Sequence, residues 1–296
     1  MSLIDDTRLR PAEPSRAVVF WNRYRRNRAA LLGLGLFAVV VLMALTAGLV
    51  DPGDPLRRAG APLTAPFVDM ATPLGTDQLG RDILSGLFYG ARISLLVGVV
   101  ATLVAIAIGV VIGALAGYFG GWVDDVLMRI TEAFQTIPNF ALAIVLVAIL
   151  EPTLTSITIA IAIVSWPPVA RLVRAEVMSV RKREFVDAAT LAGLSKPRIL
   201  VRQVLPNTVS PIIVMASLMV ATAILLESSL SFLGLGDPNA MSWGYMIGAA
   251  RTVIRSSWWL SFFPGVAIII TVLALNLIGE GLNDPCNPHP SRKGKA

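Results

Sequence analysis

The sequence predicts an all-α membrane protein of six transmembrane helices, and three observations carry that prediction. The 296 residues are 55% hydrophobic and 15% charged, with a mean hydropathy of +0.72, outside the range of ordinary soluble domains. Uncharged stretches of roughly 18 residues or more, enough to cross a bilayer as a helix, recur along the chain. None alternates polar and apolar residues as a barrel strand does. Lipid offers no partner to unpaired backbone groups, so each stretch must be a helix.

A basic lead-in, residues 1–28, precedes the first span at Ala29–Val50. That apolar run is too long for a cleavable signal peptide and no small-residue cleavage site follows it, so it is expected to stay as an anchor. Residues 51–91 contain Pro52, Pro55, Pro62, Pro66 and Pro73 and read as extended chain over the outer surface. Five further spans form a core over 92–283, and 284–296 is a tail. The second span, Ile93–Val123, is overlong, so part of it is expected to turn. The third, Ala133–Leu150, is interrupted by Pro138 and Asn139, one turn after Gln135. The fourth, Pro152–Ala170, is expected to end at Pro167-Pro168. The fifth, Gln203–Leu226, has its entry bent by Pro206 and Pro211, and the sixth is Ser256–Gly279. Such interruptions suit helices that rearrange and static kinks alike. Gly109, Gly113 and Gly117 put three small residues on one face of the second span, which predicts the close approach of a neighbouring helix. No repeat of fixed period and no inverted pair of halves is visible.

Basic residues set the orientation. Arg8, Arg10, Arg16, Arg23, Arg25, Arg26 and Arg28 precede the first span. Arg171, Arg174, Arg181, Lys182, Arg183, Lys196, Arg198 and Arg202 follow the fourth, and Arg292, Lys293 and Lys295 close the chain. With Arg129, one side of a six-span protein holds 19 of the 25 Lys and Arg. Arg57, Arg58, Arg81, Arg92, Arg251 and Arg255 remain for the other. Both termini are therefore expected in the cytoplasm, and the net charge of +6 reflects this bias rather than nucleic-acid binding.

Ionisable groups at membrane depth, the usual functional pointers, are scarce. Arg129 and Glu132, three apart, are expected to pair on one helix face. Glu151 falls in an outer turn, and Glu227, about twenty residues into the fifth span, falls near the outer surface. No acidic chain crosses the membrane to relay protons or sodium. There is neither a GxxxxGK[ST] loop nor HExxH. Cys286 and His289, each the sole residue of its type, lie in the tail. They supply too few ligands for a metal and exclude an intramolecular disulfide framework. No catalytic residue, cofactor or metal is expected in this chain. A self-powered carrier or channel would need ionisable residues lining its path. A membrane-embedded enzyme would need a polar cluster at depth. A solute-moving protein without either draws its energy from elsewhere.

The segment Arg171–Pro211 bears on that source. Phe185, Ala188, Ala189 and Ala192 fall at helical spacing as a narrow apolar stripe. Gly193 can stop that helix, Ser195 can cap another, and Pro197 is tolerated in its first turn. The segment is either a compact knob that docks in a groove of another protein or a basic loop that only fixes topology.

These residues resemble the EAA loop of the permease subunits of bacterial ABC importers. The family pattern is E-A-A, three residues, G, nine residues, I, one residue, L-P. Asp187-Ala188-Ala189, Gly193 and Leu205-Pro206 keep that spacing, with Asp187 at the glutamate and Gln203 at the isoleucine. Further blocks are similar to the C-type branch for dipeptides, oligopeptides and nickel: Trp21–Gly33, Pro73–Leu95, Leu226–Pro238 and Trp258–Leu282. The tail from Asn283 departs from the family ending. The resemblance implies a type I importer fold in a bacterial cytoplasmic membrane, with a homologous second permease beside this chain. It also implies ATPase subunits below, on two chains or one, which bind the ATP and Mg, and a substrate-binding protein outside. Glu184, Phe185, Asp187, Ala188, Ala189, Ala192, Gly193, Leu205 and Pro206 would then form the loop, about 171–206, that couples permease to ATPase. Asp77 and Arg81, in the outer segment, are candidate contacts for the binding protein, while the same segment also suits a cover over the path or a static collar. Dipeptides and oligopeptides are the branch's usual cargo; nickel chelates and haem-like ligands use similar permeases.

Overall fold

The computed structural model describes residues 24, 25 and 27–286, without the side chains of 283–286. Arg8, Arg10, Arg16, Arg23, Arg26, His289, Arg292, Lys293 and Lys295 lie outside the described residues. Within them five continuous helices are long and apolar enough to cross a membrane, or six if one sharply bent pair counts as a single span.

Helix α1, Arg28–Val50, starts where the Asn27 side chain accepts from the N–H groups of Ala29 and Ala30, which satisfies donors that a helix start leaves orphaned. Its small residues Ala30, Gly33, Val40, Ala44 and Ala47 form the buried stripe. Gly33 sits so near Leu277 of the last helix that a Cβ there would come within 2.7 Å of the Leu277 Cβ.

Residues 51–82 are not extended chain. They fold into successive turns pinned to the helices. Tyr89 donates to the carbonyls of Asp51 and Gly53, and Ser85 donates to Asp51. Trp259 Nε1 donates to the Thr76 carbonyl, and Gln78 donates to that of Ala249. The prolines read as extension because each excludes helix locally; the closing hydrogen bonds come from residues up to 183 positions away.

Helix α2, Ile83–Phe119, begins ten residues before the expected span. Asp82 caps it through Leu84 and Ser85 N–H. Arg92, read as the border of the apolar stretch, is carried within the helix. At about 1.5 Å per residue its 37 residues run roughly 55 Å, well beyond a hydrocarbon core of roughly 30 Å. The expected turn comes only at Gly120-Gly121, both at positive φ. There follow α3, Gly121–Thr136, and α4, Asn139–Leu150, bent by 85° where Pro138 interrupts them; the third expected span, from Ala133, takes in α4 but only the last four residues of α3, which starts twelve residues earlier.

Helix α5, Leu154–Val180, corrects a second expectation: it runs straight on through Pro167-Pro168 for a further dozen residues. Two lost N–H groups free the carbonyls four residues earlier, those of Ile163 and Val164. Val169, Ala170, Val173 and Val177 beyond the pair are all fully buried, and that packing outweighs the missing bonds. Gly109, Gly113 and Gly117 face this stretch. A Cβ on them would meet Val169 Cβ at 2.5 Å, collide with the Ala170 carbonyl and meet the Arg174 carbonyl at 2.7 Å. The two backbones approach closely at three points over about two turns.

After two short helices, described below, α8 spans Val209–Leu230, later than the expected start at Gln203, because Pro206 holds Leu205–Asn207 in a tight 3₁₀ turn. Glu227 lies near the end of this helix and is buried within the bundle, 1% exposed. It accepts from Ser231 at 2.8 Å and Ser242 at 2.7 Å. Ser242 also caps α9, Trp243–Ala249. The chain returns through α10, Trp259–Cys286, which extends past the expected end at Gly279. Asp237 reaches back to cap α5 at the Leu154 N–H. The fully buried Trp243 binds the Leu87 carbonyl through its indole N–H.

The glycine face generates a prediction. Gly113→Leu should destabilise the detergent-solubilised protein by about 1–3 kcal/mol or more, read as a lower thermal midpoint. Gly265→Ala, with open space around it, should leave the midpoint unchanged.

Candidate coupling element and the two ends of the bundle

The knob forms at the end of the bundle that holds the first residue of α1 and the last of α2. Helix α6, Glu184–Leu191, is followed by α7, Lys196–Ile199, and a π-helical turn, Leu200–Val204. Its stop is a Schellman motif: Gly193, at φ +77°, donates to Thr190, and Leu194 donates to the Ala189 carbonyl. Ser195 begins α7 in extended conformation, but its side chain caps nothing, and Pro197 occupies the first turn.

The stripe of four is divided by the structure. Ala189 faces inward with Val186, at 8% and 4% exposure, onto Val177, Val180, Tyr118 and Ile199. Phe185, Ala188 and Ala192 face outward with Leu191, which is 89% exposed. Val186 and Leu191 escaped the sequence reading, although Leu191 stands three residues after Ala188 and marks the outer stripe by that spacing. Glu184 and Asp187 are exposed in the first turn, where acidic groups suit the helix dipole. Leu205 is half-buried and Pro206 exposed at the base of α8. The result is a helix held by one apolar face and presenting another to solvent.

Beside the knob, α3 and α5 enclose a polar cleft of about 740 Å³. Arg174 grips Asp124 with two hydrogen bonds of 2.5 and 2.6 Å, and Arg171 donates to Gln135. Arg129 and Glu132 both line the cleft without pairing. Arg181 lies over the Tyr118 ring, 5.7 Å from its centroid.

At the opposite end, Asp77 closes its own turn by accepting from Leu79 and Arg81 N–H. The Arg81 guanidinium donates to Tyr245. Both line a cavity of about 220 Å³ against Met241 and Leu260. Burial pushes the Asp82 carboxyl above the usual range. Burial acts the same way on Asp51, but the Gly53 N–H, Ser85 and Arg57 outweigh it and hold that carboxyl below. On the free side of this segment Phe67, Val68 and Met70 are 72–84% exposed. Among the described residues no group of acidic, His or Cys side chains could hold a metal ion.

Ala189→Glu would bury an unpaired charge under the knob, at a cost of about 3 kcal/mol. Limited proteolysis should then cut within 181–208 faster than in the parent. Leu191→Glu, on the outer face, should leave the cutting rate unchanged.

A family profile described as the binding-protein-dependent transport system inner membrane component matches residues 109–290. A second, the N-terminal TM domain of oligopeptide transport permease C, matches residues 15–74. The dipeptide transport system permease protein DppC of Haemophilus influenzae is 38% identical over 291 residues, 96% of this chain and 99% of that protein. The di/tripeptide transport system permease protein DppC of Pseudomonas aeruginosa is 41% identical over 281 residues, 93% of each. The dipeptide transport system permease protein DppC of Escherichia coli K12 is 42% identical over 275 residues, 91% of this chain and 92% of that protein. The first profile takes in the glycine face and the knob, and the chain belongs to the family of inner-membrane components of binding-protein-dependent transport systems.

Proposed function

We propose that this chain is a peptide-import permease whose outward-facing coupling helix rests in a cleft of an ATPase partner. The chain is a multi-pass inner-membrane transport subunit. Its relatives of known name carry dipeptides and tripeptides, and near-complete coverage at about 40% identity supports the same cargo here.

The observation that carries the coupling is the divided knob. Val186 and Ala189 fix α6 to the ends of α2 and α5, while Phe185, Ala188 and Leu191 remain uncovered on the opposite face. An exposed apolar face on a helix whose other face is seated on its own protein suits a partner groove. A knob that only fixed topology would have no use for Leu191 at 89% exposure. ATP and Mg bind on the partner subunits, two chains or one fused chain. A homologous permease completes the path, and a binding protein delivers peptide at the end bearing Asp77 and Arg81. Both termini face the cytoplasm with the knob. Closing of the ATPase dimer moves the knobs as rigid levers and switches the helix bundle between two arrangements.

The test is Leu191→Asp in the complete complex. A desolvated apolar anchor contributes about 2 kcal/mol or more to such a contact. ATP-driven uptake should therefore fall at least about tenfold while the amount of chain in the membrane stays constant. Full uptake by this variant would refute the docking.

A further inference from the structure

Midway between the two ends, a cavity of about 470 Å³ opens between α4, α5 and α8. Pro168, fourteen residues and roughly 21 Å into α5, lies on its wall, so the cavity sits near the middle of the membrane. Its lining is of two kinds. Met215, Met219, Phe140 and Leu218 are apolar, and the methionines are unbranched and adaptable. Asn139 and Ser165 are polar, and their side chains make no hydrogen bond with any described residue. Between them, Val164 is 1% exposed. Its carbonyl lacks the donor four residues on, because that residue is Pro168. Non-helical backbone at this depth, such as the break before Asn139, is tolerated where it lines a cavity rather than lipid.

We propose that this cavity is a subsite for the main chain of the transported peptide, resting on the peptide-import reading above. The Asn139 amide carries a donor and an acceptor, the complement of a peptide unit. The Ser165 hydroxyl, likewise unpartnered, serves as donor or acceptor. These groups read what every peptide shares. Met215, Met219 and Phe140 adapt to whatever side chain follows, as promiscuous surfaces rich in methionine do. The polar set without charge gives weak holding, which suits a station that a substrate must leave.

The complete complex in proteoliposomes, with binding protein and ATP, tests this with two radiolabelled probes, dialanine and diphenylalanine. Asn139→Leu should lower uptake of both about tenfold, the loss of one or two hydrogen bonds. Met219→Trp and Met219→Ala should move the diphenylalanine-to-dialanine ratio in opposite directions, down and up, by about tenfold between them. A merely misfolded variant lowers both probes together and leaves the ratio fixed. If the parent complex carries both peptides and the three variants keep its rates and its ratio, the cavity is filled by lipid or by the second permease and the subsite is wrong. If the parent complex moves neither peptide, the import reading falls first and the subsite with it.

Discussion

The contact between α2 and α5 is the constraint on which the remaining structure depends. Gly109, Gly113 and Gly117 let the two backbones approach until the carbonyls of Ala170 and Arg174 lie where a side chain would otherwise stand. In lipid the hydrophobic effect does not hold helices together; close packing does. That approach fixes Tyr118 at the end of α2 beside Val177 and Val180 at the end of α5. Those three side chains are the floor on which Val186 and Ala189 seat the knob. The same packing carries α5 unbroken through Pro167-Pro168. The floor of the knob and the freed carbonyl at mid-membrane thus follow from one helix pair.

Much of this was legible in the sequence, and what was not has a common physical cause. Helices whose identity rests on hydropathy were found, because lipid imposes that signal residue by residue. The Gly193 stop was legible because a left-handed residue at a helix end has few alternatives to glycine. The boundaries were displaced wherever tertiary packing decides them. Arg92 did not end an apolar run but rode inside α2, and Pro168 did not end α5. The outer segment looked extended because its hydrogen-bond partners, Trp259 and Ala249, lie far along the chain. Glu227 was placed at the right end of its helix, but its burial depends on Ser242, which no spacing rule brings to it.

The knob shows the same division. Spacing found a stripe, but four residues at helical intervals cannot tell which side of a short helix meets its own protein. The structure gives Ala189 to the inner face and Phe185, Ala188 and Leu191 to the outer one. The coupling proposed above uses both faces: one is pushed and the other transmits the push into α2 and α5. With the pinned turns of residues 51–82 at one end and the knob at the other, the chain has a rigid element at each membrane surface and a kinked, polar-lined stretch between.

The central claim is that work reaches these helices from a separate motor through the knob. It is tested most directly by reconstituting the purified chain alone, and then the complete complex, in vesicles and measuring peptide uptake with and without ATP. The account predicts uptake only by the complete complex and only with nucleotide. Uptake by the chain alone, without nucleotide, would contradict it.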